Sequence, residues 1–363
     1  MSIAAAGPAD YGQMASLISD SAAVKQHLDQ LTTQVSTGLV SQTYAGLGSA
    51  AAVSLNLNPQ IAALQTWQNN INQAASGMQV TQTAMTQIQQ IAANFLAQTG
   101  NLEGTDASEV DSVAASAQQA LVQVAGLLDT QDGNAYVFAG QDSSNPPVPD
   151  PDSILSSGFY TQIAAQVGLL GTQGAAATTA NTLVIGGSNA PGLSPFSAYL
   201  SQPSTSLQAP TIQIGQGQTA SVGLLASANS AVTSTGVGTT STGSYMRDLM
   251  TALATIGAMS SSQTGDAGFT TLVQSTNATL TGAVSAMAED VGVLGNTQTN
   301  LTTAQTTMSD TATALTTQVG DVQDVDVAQA MSNLSLVQTQ LQGSYQVIAA
   351  MSGLSLVKFL PVS

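Results

Sequence analysis

His27, the single histidine of the chain, stands beside Leu28 with no nucleophile partner and no second metal ligand in pattern with it, so it reads as an ordinary helix residue and not as a catalytic base. Asp321, Asp324 and Asp326 could offer oxygens to a calcium ion, but the stretch lacks the glycine and the closing glutamate of an EF-hand loop. Ahead of a helix the same acids cap free N–H groups and suit the helix dipole. Gly215-Gln216-Gly217 lacks the third glycine and the following helix of a dinucleotide turn, which leaves a hairpin turn. Glu289 and Asp290 are adjacent in a helical pattern and therefore face different directions, unlike a glycosidase pair. With no cysteine in the chain, thiol catalysis, disulfides and cysteine-held metals are excluded. From Ser153 to Met246 there is no acid, base, histidine or cysteine. The sequence thus assigns no catalytic residue, no cofactor and no metal, and predicts a chain that is not an enzyme.

Charge is the unusual feature. Lys25, Arg247 and Lys358 are the only basic residues among 363, against twenty acids, for a net charge of −17. Phosphate binding runs on Lys and Arg, so nucleic acid and anionic membranes are excluded as partners. No charge falls between Asp29 and Glu103, nor between Asp152 and Arg247. Two readings of this stay open. Uncharged Gln, Asn, Ser and Thr surfaces are cheaper to desolvate than charged ones, which suits helices packed in an assembly; secretion into an acidic medium would also disfavour lysine. The first residues carry neither a basic region nor an uninterrupted apolar core, and no apolar run reaches about 18 residues. The expectation is export, if any, by a route without a cleaved signal peptide, and no membrane insertion.

What positions these residues is a period. Stepping by four and three from Leu280 reaches Val284, Met287, Val291, Leu294, Gln298, Leu301, Gln305, Met308, Ala312, Leu315 and Val319. This is a coiled-coil seam. After Gly320-Asp321 a second seam runs Val327, Met331, Leu334, Gln338, Leu341, Tyr345, Ile348. Near the other end Met14, Leu17, Ser21, Val24, Leu28, Leu31 and Val35 keep the same step up to a stop at Gly38. A further run, from Ile61 through Ile71, Met78 and Met85 to Phe95, is closed by Gly100 and Gly104, and another starts at about Ser108. Pro146, Pro147, Pro149 and Pro151 then change the texture. Up to Gly243 the chain is Gly/Ser/Thr-rich with β-like runs at Thr182–Ile185 and at Ile212–Val222, before helical pattern returns at Tyr245. The predicted fold is mainly α: a long antiparallel helical coiled-coil bundle formed by both termini, with a small β-rich inserted domain. Residues 1–45 and 320–363 are expected to form a terminal assembly domain, 46–140 and 244–319 a helical rod, and 141–243 the insert.

Several stretches resemble the bacterial flagellin family. Gln34-Val35-Ser36-Thr37-Gly38 is similar to the family's "Q-x-S-T-G" turn, followed at family spacing by Asn70 to Ala74 and by Thr83 to Met85. Leu294-Gly295 with Leu301, then Asp324-Val325-Asp326-Val327-Ala328, resembles its C-terminal region. The passage containing Asp132, Gly133, Asn134, Tyr136, Phe138 and Gly140, with Pro146-Pro147 after it, looks like the branch that joins hook and filament. Asn300 stands where the family usually has an arginine, and Ala45 to Ser49 where it usually has acids. The resemblance implies a structural flagellar subunit assembled through its terminal helices after type III export, with Leu17, Val24, Leu28, Leu31, Val35, Met331, Leu334, Leu341, Tyr345 and Ile348 as assembly surface. Its implied partners are copies of itself, hook-associated protein 1, flagellin and a cytoplasmic export chaperone. A filament-forming flagellin and an adhesin on a helical stalk are the alternatives.

Overall fold

A computed structural model describes residues 8–102 and 107–357. Its elements are α1 (Pro8–Thr37), α2 (Ala51–Asn101), α3 (Ala107–Leu128), β1 (Gln131–Asp132), β2 (Ala135–Tyr136), α4 (Gly158–Gly168), α5 (Leu170–Gly186), β3 (Thr211–Gly215), β4 (Gln218–Ser221), α6 (Tyr245–Gly257), α7 (Phe269–Gln323) and α8 (Val327–Val357). The chain is mainly helical, with two small antiparallel hairpins, as the seams predict. Gly104 and the side chain of Met14 lie outside the described residues. Two compact units form, one from residues 1–64 and 310–363, the other from 65–309.

In the first unit α1 and α8 pair in opposite directions. Gly38 takes the positive φ of 73° that ends a helix in a left-handed residue. The chain then meets the start of α8 in a short antiparallel bridge, Leu39 opposite Asp324. The N–H of Val40 donates to the carbonyl of Gln323 at 2.7 Å and that of Val325 to the carbonyl of Gly38 at 2.8 Å. α1 runs toward this clasp and α8 away from it. The covered line of α1 is the predicted one, with Leu17, Ser21, Val24, Leu28, Leu31 and Val35 all buried or half-buried.

In the second unit the Gln305 amide donates to Asn72 at 2.7 Å, and the Asn277 amide donates to the Thr99 hydroxyl at 3.1 Å. Rising position in α2 meets falling position in α7, so this coiled coil is antiparallel too. Between these rungs Met78, Met85, Ile88, Leu280, Met287, Leu294 and Leu301 are buried, as is Ile71 next to the first of them. Contrary to the break expected at Gly320-Asp321, α7 continues through both to Gln323, since neither residue there forbids helical φ and ψ.

Helices α3, α4 and α6 are locked by one side chain. The Gln118 amide donates to the Gly257 carbonyl at 2.7 Å and to the Tyr160 hydroxyl at 2.9 Å, and that hydroxyl donates to Gly257 at 2.9 Å. Burial pushes the Tyr160 phenol up from its ordinary range. Thr182–Ile185, expected as a strand, is instead the end of α5. Its β-branched residues fit a helix because Thr182, Leu183 and Ile185 are buried there while Val184 faces out. The hairpin expected at Ile212–Val222 forms as β3 and β4, turning at Gly217 with φ of 72°.

Charges inside this unit serve the backbone. Asp290, fully buried, accepts from the N–H groups of Ser230 (3.0 Å) and Ala231 (2.8 Å). Asp248, also buried, accepts from the Ser241 hydroxyl at 2.6 Å and from the Thr242 N–H and hydroxyl at 2.6 and 2.7 Å. Asp129 accepts from the Val148 N–H at 2.9 Å, fastening the proline-rich turn to the end of α3. Burial raises its carboxyl to about 6, against the pull of that hydrogen bond. The folded pKa lies above the unfolded one, so protonation favours the folded chain. Stability from this group is gained as pH falls from about 6 toward 4 and lost as pH rises back through 6. Asp129→Asn keeps the acceptor and removes the titration. The difference in unfolding temperature between the parent and this variant should therefore shift by a few degrees in the parent's favour on acidification through that window; a difference flat with pH contradicts it.

Candidate assembly surface

The turn Gln34-Val35-Ser36-Thr37-Gly38 builds the clasp. The Gln34 amide donates to the Val40 carbonyl at 2.9 Å, the Gly38 N–H to the Gln34 carbonyl at 2.8 Å, and the Leu39 N–H to the Thr37 hydroxyl at 3.3 Å. Ser36 is exposed. From the other end Asp324 pairs with Leu39, and the Asp326 carboxylate accepts from the Gln329 N–H at 3.0 Å, capping α8. Asp324, through its backbone, and Asp326, through its carboxylate, therefore hold backbone together, while Asp321 is exposed. Among the described residues no group of three or more His, Cys, Asp or Glu side chains is placed to hold a metal.

Facing α1, α8 covers Ala330, Leu334, Val337, Leu341, Ser344 and Ile348. The expected seam shares Leu334, Leu341 and Ile348 with this line, but its other members do not lie on it. Met331 and Tyr345 are 54 % and 51 % exposed, and Val327 and Gln338 are exposed as well. The reason is the width of the apolar stripe, which spans more of the helix than one partner can cover. Met331 follows Ala330 and Tyr345 follows Ser344 by one residue, about 100° round the helix. In α1, Ile18 follows covered Leu17 in the same way and is 55 % exposed. In an antiparallel pair these positions share one side. Leu336 and Val347, each one residue before a covered position, line the opposite side and are exposed too. Sequence reading missed Ala330, Val337 and Ser344 as the covered line; the one-residue offset between two overlapping apolar lines was the available signal.

The second passage of interest lies in the other unit. Gly133-Asn134 is the loop of the β1–β2 hairpin, with Gly133 at φ of 62°, and the Asp132 carboxylate accepts from Ser76 of α2 at 3.3 Å. The Tyr136 N–H donates to the Ser143 carbonyl at 2.9 Å. Phe138 is fully buried and its carbonyl accepts from the Ala226 N–H at 3.0 Å. Gly140, at φ of 67°, lets the backbone pass close to Leu225 and Gln208. Between this hairpin, α2 and β3 lies a cleft of about 630 Å³ lined by Asn70, Gln73, Asp132, Tyr136 and Gln213. Amides, a phenol and one carboxylate there offer hydrogen bonds without an acid–base pair. His27 is exposed on α1, and Trp67 is half-buried on α2.

A chain whose two ends fold on each other, and whose end helices keep apolar residues exposed on both sides, is a helical assembly subunit. Two family models match it: the bacterial flagellin N-terminal helical region over residues 13–143, and the bacterial flagellin C-terminal helical region over residues 278–360. The chain belongs to the bacterial flagellin family and is a structural subunit of the flagellum. Members of that family assemble with other flagellar subunits outside the cell and serve motility. No curated protein matches the chain at a significant level. No helix among the described residues is long and apolar enough to cross a membrane.

Proposed function

We propose that this subunit is the junction protein between hook and filament, hook-associated protein 3. The observation that carries the reading is the passage from Asp132 to Gly140 with Pro146-Pro147: a tight hairpin, a buried Phe138 and a close-packed Gly140, with the proline turn fastened by Asp129. In this reading hook-associated protein 1 and flagellin are its neighbours on either side, along with copies of itself. Residues 1–45 and 320–363 form the assembly domain, 46–140 and 244–319 the rod and 141–243 the solvent-facing insert. Met331 and Tyr345 meet neighbouring subunits, while Leu17, Val24, Leu28, Leu31, Val35, Leu334, Leu341 and Ile348 hold the helix pair that presents them. Apolar residues on both sides of that pair support contacts with more than one neighbour, as open helical growth requires. Before type III export, which uses no cleaved signal, a cytoplasmic chaperone covers the α8 stripe. The test is concentration-driven assembly of the purified chain. A junction protein stays monomeric alone and adds to isolated hooks; growth into long filaments without hooks identifies a filament-forming flagellin instead.

A further inference from the structure

We infer that the cleft between the β1–β2 hairpin, α2 and β3 is a binding site for a neutral sugar, a pyranose that both donates and accepts hydrogen bonds through its hydroxyl groups. The inference stands apart from the junction reading, because the whole cleft lies inside one subunit and within residues 65–309. Its volume of about 630 Å³ falls in the ordinary range of small-molecule sites, about 300–1,000 Å³.

The helix makes room for such a ligand. Asn70, Ala74, Gly77 and Thr81 recur at the helical spacing of four, three and four residues, so one face of α2 forms a wall of the cleft that is small in its middle. Gly77 has no conformational reason to be glycine. Its φ is not positive, and a Cβ there would meet only Asp132 Oδ2, at an ordinary 3.5 Å. A glycine inside a helix lowers its stability relative to alanine, and what it leaves here is open space.

Polar groups around that space have hydrogen-bonding capacity left over. The Asn70 amide donates to the Gln213 carbonyl at 3.2 Å, the Gln213 amide donates to the Gly215 carbonyl at 3.1 Å, and Asp132 Oδ1 accepts from Ser76. These bonds fix the three side chains and leave Asn70 Oδ1, Gln213 Oε1 and Asp132 Oδ2 as acceptors. The Gln73 amide and the hydroxyls of Ser143 and Thr211 make no hydrogen bond among the described residues and supply donors. Gln73, Thr211 and Gln213 are exposed and Asn70, Asp132 and Ser143 half-buried, so all six are open to solvent. Ala74, Ile212 and Val222 add apolar lining, against which the C–H face of a sugar ring packs. No Lys, Arg or His lines the cleft, so an anion finds no counter-charge there. A peptide strand fits less well. The Val222 N–H donates to the Pro210 carbonyl, so Thr211 and Gln213 turn their backbone groups away from β4. A strand added at that edge would need the Gln213 carbonyl, which Asn70 already holds.

The experiment titrates the full chain with glucose, galactose and N-acetylglucosamine, and separately with ethylammonium chloride as a cation, by saturation-transfer NMR. Saturable binding of at least one of the sugars, in the millimolar range, is expected. Gly77→Leu fills the open space and should abolish that binding while leaving the unfolding temperature no lower than the parent's, because leucine is the better helix former. Gln73→Ala should weaken binding about fivefold, the worth of one hydrogen bond. Should Gly77→Leu fail to fold, Gln73→Ala decides, since that side chain is exposed and holds nothing else in the protein. No saturable sugar binding below about 50 mM, binding of ethylammonium alone, or sugar binding unchanged in the deciding variant overturns the site.

Discussion

Met331→Glu combined with Tyr345→Glu is expected to abolish incorporation of the subunit into flagellar assemblies while leaving the isolated chain folded. Both side chains are about half exposed and lie off the line that α1 covers, so charging them removes little that the monomer uses. Glutamate is a good helix former, and the unfolding temperature should stay within about 2 °C of the parent. In a subunit contact the same change inserts desolvated charge where an aromatic ring and a thioether had packed. Losing two such anchors costs about 4 kcal/mol, or roughly a thousandfold in the concentration needed to assemble. The measurement is co-sedimentation with isolated hooks or with its own polymer, beside a melt of the free variant. Undiminished pelleting removes Met331 and Tyr345 from the assembly surface.

Gly140→Val carries the largest expected loss of stability. A Cβ at this position would lie 2.7 Å from Leu225 Cδ2, 2.9 Å from the Gln208 carbonyl oxygen and 3.2 Å from a Tyr199 ring carbon. The oxygen is backbone and cannot swing aside. The residue also sits at φ of 67°, where a β-branched side chain is strained. Strain of about 1–2 kcal/mol and overpacking of about 1–3 kcal/mol should lower the urea midpoint by a large fraction of the total stability. Gly133→Val serves as the control, since it shares the positive φ but meets nothing within 4 Å. Equal losses at the two sites would show that backbone strain alone accounts for the effect.

The long helices were legible because their period is redundant. Each of the twelve seam positions from Leu280 to Val319 is buried or half-buried, and Gly38 stops α1 where its sequence position says it must. α8 was less legible. Its apolar residues fill two overlapping lines, and a rule that follows one line takes Met331 and Tyr345 where the fold covers Ala330 and Val337. Inside the insert, Thr182–Ile185 is β-branched by composition but helical by burial, since tertiary packing outweighs a propensity of a few tenths of a kcal/mol. Asp248 and Asp290 gave no periodic signal at all. Their work is to satisfy loop N–H groups tens of residues away or just upstream, and only the folded chain brings those together.

The clasp between Gly38 and Val325 has a consequence for the order in which the molecule forms. It joins residues separated by most of the chain, and closing so long a loop directly costs about 5 kcal/mol of chain entropy. The helix pairs are nested, however: α3 with α6, α2 with α7 and α1 with α8 each enclose the pair before. Once an inner pair has closed, the next outer pair closes only a short additional loop. The topology favours folding from the middle of the sequence outward, and a chain emerging from a ribosome or a pore N-terminus first cannot pair α1 until its last helix is free. By loop-closure cost, the pairing of α1 with α8 comes last in the order of closure that this topology favours.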